Sequence, residues 1–182
     1  MSEPIPIIPP KVVKTKILHE QLFSLRQDNL LYANGHHHDY YSLHIQKDAV
    51  SVIAETSDGS LIINREYRHP LNAFILSLPG GFIEEDATPK LEAQRELIEE
   101  TGYDAKEFLI IGKAPPLPGI CNQIVYYILA KEAHKICEPK HEPSELLSTE
   151  LMSMENLMKA ILEGEIVDGI LCTAFFFYKW QI

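Results

Sequence analysis

Residues 80–103, GGFIEEDATPKLEAQRELIEETGY, constrain this chain more than any other stretch. They follow a short apolar run, NAFILSLPGG, which reads as a strand closed by the turn Pro79-Gly80-Gly81. A helix comes next, and both of its ends are marked. Thr88 suits the N-cap, Pro89 the first helical position and Gly102 the left-handed stop. At about 100° per residue, Glu92, Glu96, Glu99 and Glu100 fall within an arc of roughly 100°. Leu91, Gln94, Leu97 and Ile98 fall on the other side. One face is thus made for a core, and the other concentrates carboxylates.

The acidic face is electrostatically unfavourable. Glu92–Glu96 and Glu96–Glu100 are like-charge i,i+4 pairs, each costing about 0.2–0.5 kcal/mol. Arg95 is one cation against four anions. Glu99 and Glu100 also stand in the last turn, at the negative end of the helix dipole. A merely solvated face is the bland alternative. The dipole argument weighs against it, and so does the glycine turn upstream, where backbone can approach a ligand closely. Hard divalent cations take several oxygens at short range, and carboxylates at i, i+3 and i+4 supply them.

The rest of the chain is consistent with a layered domain. Its 182 residues are 46% hydrophobic, enough for a substantial core. "YYSLHIQKDAVSVIAETSDGSLIINREYR" alternates as strands, with Asp58-Gly59 as a hairpin turn. "KILHEQLFSLRQDNLLYANG", "FLIIGKA" and "QIVYYILAKEA" are strand-like, and the first sixteen residues are Pro-rich and extended. "HEPSE" reads as an acidic loop. "SMENLMKAILEG" has a helix cap at Ser153 and a stop at Gly164, and "VDGILCTAFFFYKW" fits a third helix. Sequential strands with helices late in the chain predict an α/β or α+β layered domain, a mixed sheet with helices packed on it. No apolar run reaches the roughly 20 residues of a membrane helix. Nothing at the N-terminus has the pattern of a secretory signal. Three widely spaced cysteines predict reduced thiols and a cytoplasmic setting. A net charge of −10 argues against a nucleic-acid partner, yet leaves room for a phosphate ligand bridged by divalent ions.

Residues 80–103 resemble the Nudix box: Gly, five residues, Glu, seven residues, then Arg-Glu-U-x-Glu-Glu-x-Gly-U, where U is aliphatic or bulky. Gly81, Arg95, Glu96, Leu97, Glu99, Glu100, Gly102 and Tyr103 match in register. The early Glu of the box is replaced by Ala87, and its supporting role is expected to pass to Glu85 or Asp86, with Glu92 peripheral. The flanks resemble the branch that acts on ADP-ribose and other nucleoside diphosphate sugars. The supporting segments are "INREYRHPLNAFILSLPGG", "PPLPGICNQ" with Pro118, and "HEPSELLSTELMSMENLMKAILEGEIVDG". Ser77 and Gln123 stand where that branch commonly has acids, which loosens the expectation of strict ADP-ribose specificity.

The resemblance implies a Nudix-type α/β/α sandwich over residues 44–182, plus an N-terminal antiparallel β extension over 1–43 that serves a homodimer. It implies Mg²⁺, with Mn²⁺ as a substitute, held by Gly80, Glu96, Glu99 and Glu100. Arg68 would clamp phosphate, and Glu145, or as second choice Glu142, would act as base. Arg95 would orient a box glutamate. The reaction would split the pyrophosphate of a nucleoside diphosphate sugar into a nucleoside monophosphate and a sugar phosphate, with no nucleic acid or membrane partner. The alternatives are a catalytically silent module that binds a nucleotide sugar, and a Nudix enzyme for nucleoside triphosphates. Tyr40 or Tyr41 would stack on the base across the dimer, against the plainer fate of interface or core packing. "GHHHDYY" is expected to be a solvated loop rather than a metal site, since neighbouring residues of an extended chain point to opposite faces.

Overall fold

The computed structural model describes residues 7–165 and 167–180. The extended reading of Pro4 and Pro6, and Ile166 of the Gly-Glu-Ile ending, lie outside the described residues. The chain divides into two compact units. The first runs to Gln46 and includes Leu117–Gln123; the second comprises Lys47–Pro116 and the chain from Ile124 onward.

The first unit is a three-stranded antiparallel sheet in the order β1 (Lys11–Glu20), β2 (Ser24–Leu31), β3 (His37–His44). Its loop Leu117–Gln123 is tied to β3: Leu43 N donates to the Ile120 carbonyl, and the Tyr40 hydroxyl donates to the Gly119 carbonyl at 2.6 Å. Of the three histidines, His36 lies in the expected loop and the other two do not. His37 and His38 lie in β3, opposite Leu31 and Leu30 of β2. Cross-strand bonds from Gln27 and Asn29 to Asp39 favour the pairing there.

The second unit is an α/β/α sandwich on a mixed sheet. Its strands are β4 (Ala49–Thr56), β5 (Leu61–Arg68), β6 (Ala73–Ser77), β7 (Tyr103–Asp104), β8 (Glu107–Ala114), β9 (Val125–Lys135) and β10 (Leu147–Met152). The central order is β10-β5-β4-β9-β7, with β6 beside β5 and β8 beside β9; only β4 and β9 run parallel. Alternation on the central strands feeds two cores. Ile53, Leu61, Ile63, Tyr127 and Leu129 point to the face carrying Leu157 of α2 (Met154–Leu162) and Leu171 of α3 (Gly169–Lys179). Val50, Val52, Ile62 and Ile128 point to the other, where Ala93 and Leu97 of α1 (Pro89–Thr101) pack. Strands buried on both faces read as continuous apolar runs, as "VSVIA" and "IVYYILA" do.

The expected helix signals hold. Thr88 accepts from Leu91 N, Pro89 opens α1, and Gly102 closes it at φ 76, with its N–H on the Ile98 carbonyl. Ser153 and Asp168 cap α2 and α3. Strand β10 has no counterpart in the sequence reading. It is a short sheet-edge segment, LSTELM, and its register along β5 comes from tertiary pairing rather than propensity.

Candidate active site

The strand–turn–helix of the opening motif builds the site. Val52 N donates to the Pro79 carbonyl and Val50 N to the Gly81 carbonyl, which sews the turn to β4. A Cβ on Gly80 would lie 2.2 Å from the Val50 carbonyl oxygen, and one on Gly81 would lie 2.2 Å from Glu96 Oε1. At Gly80 the backbone therefore passes the strand where no side chain fits, and at Gly81 a side chain would displace the Glu96 carboxylate.

Helix α1 presents Glu96, Glu99 and Glu100 to a cavity of about 260 Å³ that also takes Gly80, Gly81 and Arg95. The loop before β10 adds Lys140, Glu142 and Glu145. One backbone bond and one side-chain bond fix this loop on the end of α1: Lys140 N donates to the Glu99 carbonyl at 2.7 Å, and His141 Nε2 donates to the Glu100 carbonyl at 2.8 Å. Glu142 N donates to Glu145 Oε2 at 2.8 Å. Glu145 is half-buried and Glu142 exposed.

Glu100 is the deepest of the cavity carboxylates. Its Oε2 accepts from Asn64 Nδ2 at 2.8 Å and from Gly80 N at 3.3 Å. Asn64 is 1% exposed and accepts in turn from Thr149 Oγ1 at 2.9 Å, so its amide orientation is fixed. Burial pushes Glu100 up to about 9; the nearby Glu96 charge adds to this, and the Gly80 N–H opposes it. Burial likewise pushes Glu96 up to about 7; the Arg95 charge opposes the shift, and Glu92 and Glu99 reinforce it.

Arg95 spreads its guanidinium over three carboxylates. Nε donates to Glu92 Oε1 at 2.6 Å, Nη2 to Glu96 Oε1 at 2.5 Å, and Nη1 to Glu99 Oε2. Glu92 is 1% exposed, and its Oε2 accepts from Glu84 N at 2.9 Å. Glu92 is thus buried against Arg95, though it does not line the cavity, while Glu85 and Asp86 are exposed.

A divalent cation fits this donor set. Hard oxygen ligands line the cavity, and two of them are pushed toward protonation by burial and mutual repulsion, the strain a cation would relieve. Among the described residues no three His, Cys, Asp or Glu side chains stand ready-made as a ligand group.

The structure brings Gly80, Arg95, Glu96, Glu99, Glu100, Glu142 and Glu145 to one cavity. Arg68 is not among its lining residues. It pairs with Glu66 Oε1 at 2.5 Å. Glu66, raised by burial against the pull of Arg68, also accepts from Ser77 Oγ at 3.3 Å. Tyr40 and Tyr41 belong to the first unit. Sequence reasoning missed Asn64, Thr149 and Lys140. Asn64 interrupts the apolar run LII of β5, a polar residue in a buried strand, and that was the available signal.

A family model described as NUDIX domain matches residues 45–169. The chain belongs to the Nudix family. This Nudix protein is 36% identical over 123 residues to an ADP-ribose pyrophosphatase of Bacillus subtilis (strain 168), covering 66% of each chain. It is 34% identical over 87 residues to a methanol dehydrogenase activator of Bacillus methanolicus, covering 48% of this chain and 47% of that protein. The chain thus spans about two thirds and about half of these two relatives. A crystal structure of an ADP compounds hydrolase superposes with a TM-score of 0.86 at 20% identity, covering 97% of this chain and 95% of that one; at that identity it speaks for the fold.

Proposed function

We propose that this Nudix protein hydrolyses the pyrophosphate bond of nucleoside diphosphate sugars, ADP-ribose among them, with Mg²⁺ as cofactor and Mn²⁺ as a substitute. The products would be a nucleoside monophosphate and a sugar phosphate. The observation that carries this is the convergence of Glu96, Glu99, Glu100, Glu142 and Glu145 on one cavity. Carboxylates so placed repel a pyrophosphate unless cations lie between them.

Glu96, Glu99 and Glu100, with the backbone of Gly80, would hold the metal. Bound there, Mg²⁺ supplies charge neutralisation for the phosphate oxygens and an acidified water. Asn64 and the Gly80 N–H keep Glu100 Oε2 oriented. Arg95 keeps Glu96 and Glu99 on one side of the cavity. Glu145 takes the proton of the attacking water. It is favoured over Glu142 because it is the more buried and its charge is felt by both Glu96 and Glu100. Arg68, once it leaves Glu66, clamps phosphate. Tyr40 and Tyr41 offer rings to the nucleobase, and a homodimer forms through the N-terminal extension. In support of the dimer, edge strand β1 exposes Val12, Val13, Ile17 and Leu18. The free Cys121, Cys137 and Cys172 suit a reducing cytoplasm.

The test is incubation with Mg²⁺ and a panel of ADP-ribose, ADP-glucose, GDP-mannose and nucleoside triphosphates, followed by phosphatase and a phosphate assay. Phosphate released from a nucleotide sugar, and lost on chelation, is the expected result. Tight binding of one nucleotide sugar with no turnover of any would overturn the enzymatic reading.

A further inference from the structure

The Nudix pattern asks for a glutamate at position 87, where this chain has alanine. The surrounding geometry shows how that loss is made good. Ala87 N donates to the Glu84 carbonyl at 3.0 Å, so residues 84–87 form a turn that brings position 87 against Glu84. The N–H of the same Glu84 is capped by a carboxylate arriving from the helix side, Glu92 Oε2 at 2.9 Å. Position 87 and the Glu92 carboxylate therefore border one residue from its two ends. Glu92 stands in the first turn of α1, where the helix dipole favours an anion.

The other oxygen of Glu92 faces Arg95. A guanidinium carries its donors in a rigid plane, so fixing one edge fixes the others. Glu92 Oε1 takes Nε at 2.6 Å and also Nη2; Nη2 reaches Glu96 as well, and Nη1 goes to Glu99. Arg95 is itself 41% exposed, as is much of Glu99, whereas Glu92 is buried and bonded through both oxygens. The immobile member of the cluster is the one that sets the fan.

We propose that Glu92 is the positioning residue of the acidic cavity. It replaces the missing carboxylate of position 87, anchors the Glu84–Ala87 turn, and holds Arg95 so that Glu96 and Glu99 are presented together to a divalent cation. This rests on the reading of the cavity as a metal site, and adds to it a residue outside the Nudix pattern.

The test compares the parent with Glu92→Gln, Glu92→Ala and the relocation variant Glu92→Ala/Ala87→Glu. Three quantities are measured: Mn²⁺ affinity from water-proton relaxation without substrate, kcat and KM for ADP-ribose with Mg²⁺, and the melting temperature. Glu92→Gln preserves volume and an acceptor for Glu84 N while removing the charge that holds Arg95. It should lower Mn²⁺ affinity and kcat by about 10–100-fold, the scale for groups that orient metal ligands. KM should stay within about threefold, since the loss falls on the reacting groups. Moving the carboxylate to position 87 should recover about tenfold or more of what Glu92→Ala loses, which a purely structural role for Glu92 would not produce. A folded Glu92→Gln with Mn²⁺ affinity and kcat within about twofold of the parent overturns the proposal, as does a folded relocation variant no better than Glu92→Ala. If Glu92→Ala fails to fold, Glu92→Gln and the relocation variant decide alone. A parent that binds Mn²⁺ but hydrolyses no nucleotide sugar, with binding lost in Glu92→Gln, sinks the proposed reaction and upholds the role of Glu92.

Discussion

The two ends of helix α1 each bury a glutamate, and the two are finished differently. Glu92, near the N-terminus, meets a guanidinium on one oxygen and a backbone N–H on the other, in the half of the helix whose dipole favours it. Glu100, in the last turn, meets an amide and a backbone N–H on a single oxygen, beside other carboxylates, and is pushed up to about 9. One end is electrostatically complete within the chain; the other is stable only with a proton or an external cation. A cluster of acids on a helix is thus not uniform, and its function sits where the fold leaves charge uncompensated.

That contrast is broken or sharpened by substitution. The largest effect is expected from Glu100→Gln, which should cut kcat by at least roughly 100-fold, beyond the usual cost of groups behind the ligands. The same variant should raise the melting temperature of the metal-free protein at pH 8, because a neutral amide replaces a carboxylate that burial disfavours. Activity gone with stability gained marks a functional group; both falling together would mark a structural one.

Asn64→Leu comes next. It removes the donor to Glu100 Oε2 and leaves Thr149 Oγ1 with only its longer bond, 3.4 Å to the Glu100 carbonyl. Expected costs are about 10–100-fold in kcat and about 1–3 kcal/mol of stability for a buried polar group deprived of its partner, read by steady-state kinetics and denaturant unfolding.

A smaller, graded effect is expected with pH. Glu96 and Glu100 have folded values raised from 4.5 to about 7 and about 9, so the folded chain binds more protons than the unfolded chain in that window. Stability contributed by the protonated pair is fully present below about 4.5 and is lost as pH rises toward 9. Melting curves in chelator should therefore fall across this range, and the increment from Mg²⁺ should grow with pH. A flat or rising profile would contradict the cited shifts. The smallest effect is reserved for Glu85→Gln and Asp86→Asn, exposed neighbours of Ala87 that should leave kcat within about twofold.

Much of this was legible in the sequence because the signals were local. The caps at Thr88 and Ser153, the stop at Gly102 and the acidic arc of α1 each depend on a few consecutive residues. The layered domain followed from sequential strands with helices late in the chain, and the α/β/α sandwich from the Nudix resemblance. Strand β10 and the role of Asn64 were not legible, because each is set by a partner far along the chain: β5 for the strand, Glu100 and Thr149 for the amide. The burial of Glu92 was not legible for a related reason. Helical spacing placed it on the acidic arc, but only the turn at Glu84 reveals that this part of the arc is buried.

The most direct test is calorimetric titration of Mg²⁺ into the metal-free protein at pH 7, in two buffers of different ionisation enthalpy, to count protons released per molecule. With Glu96 near half-protonated and Glu100 almost wholly so, cation binding by these carboxylates should expel roughly one to two protons. Saturable binding with no proton release, or no binding at millimolar Mg²⁺, would contradict the assignment of this cavity as a metal centre.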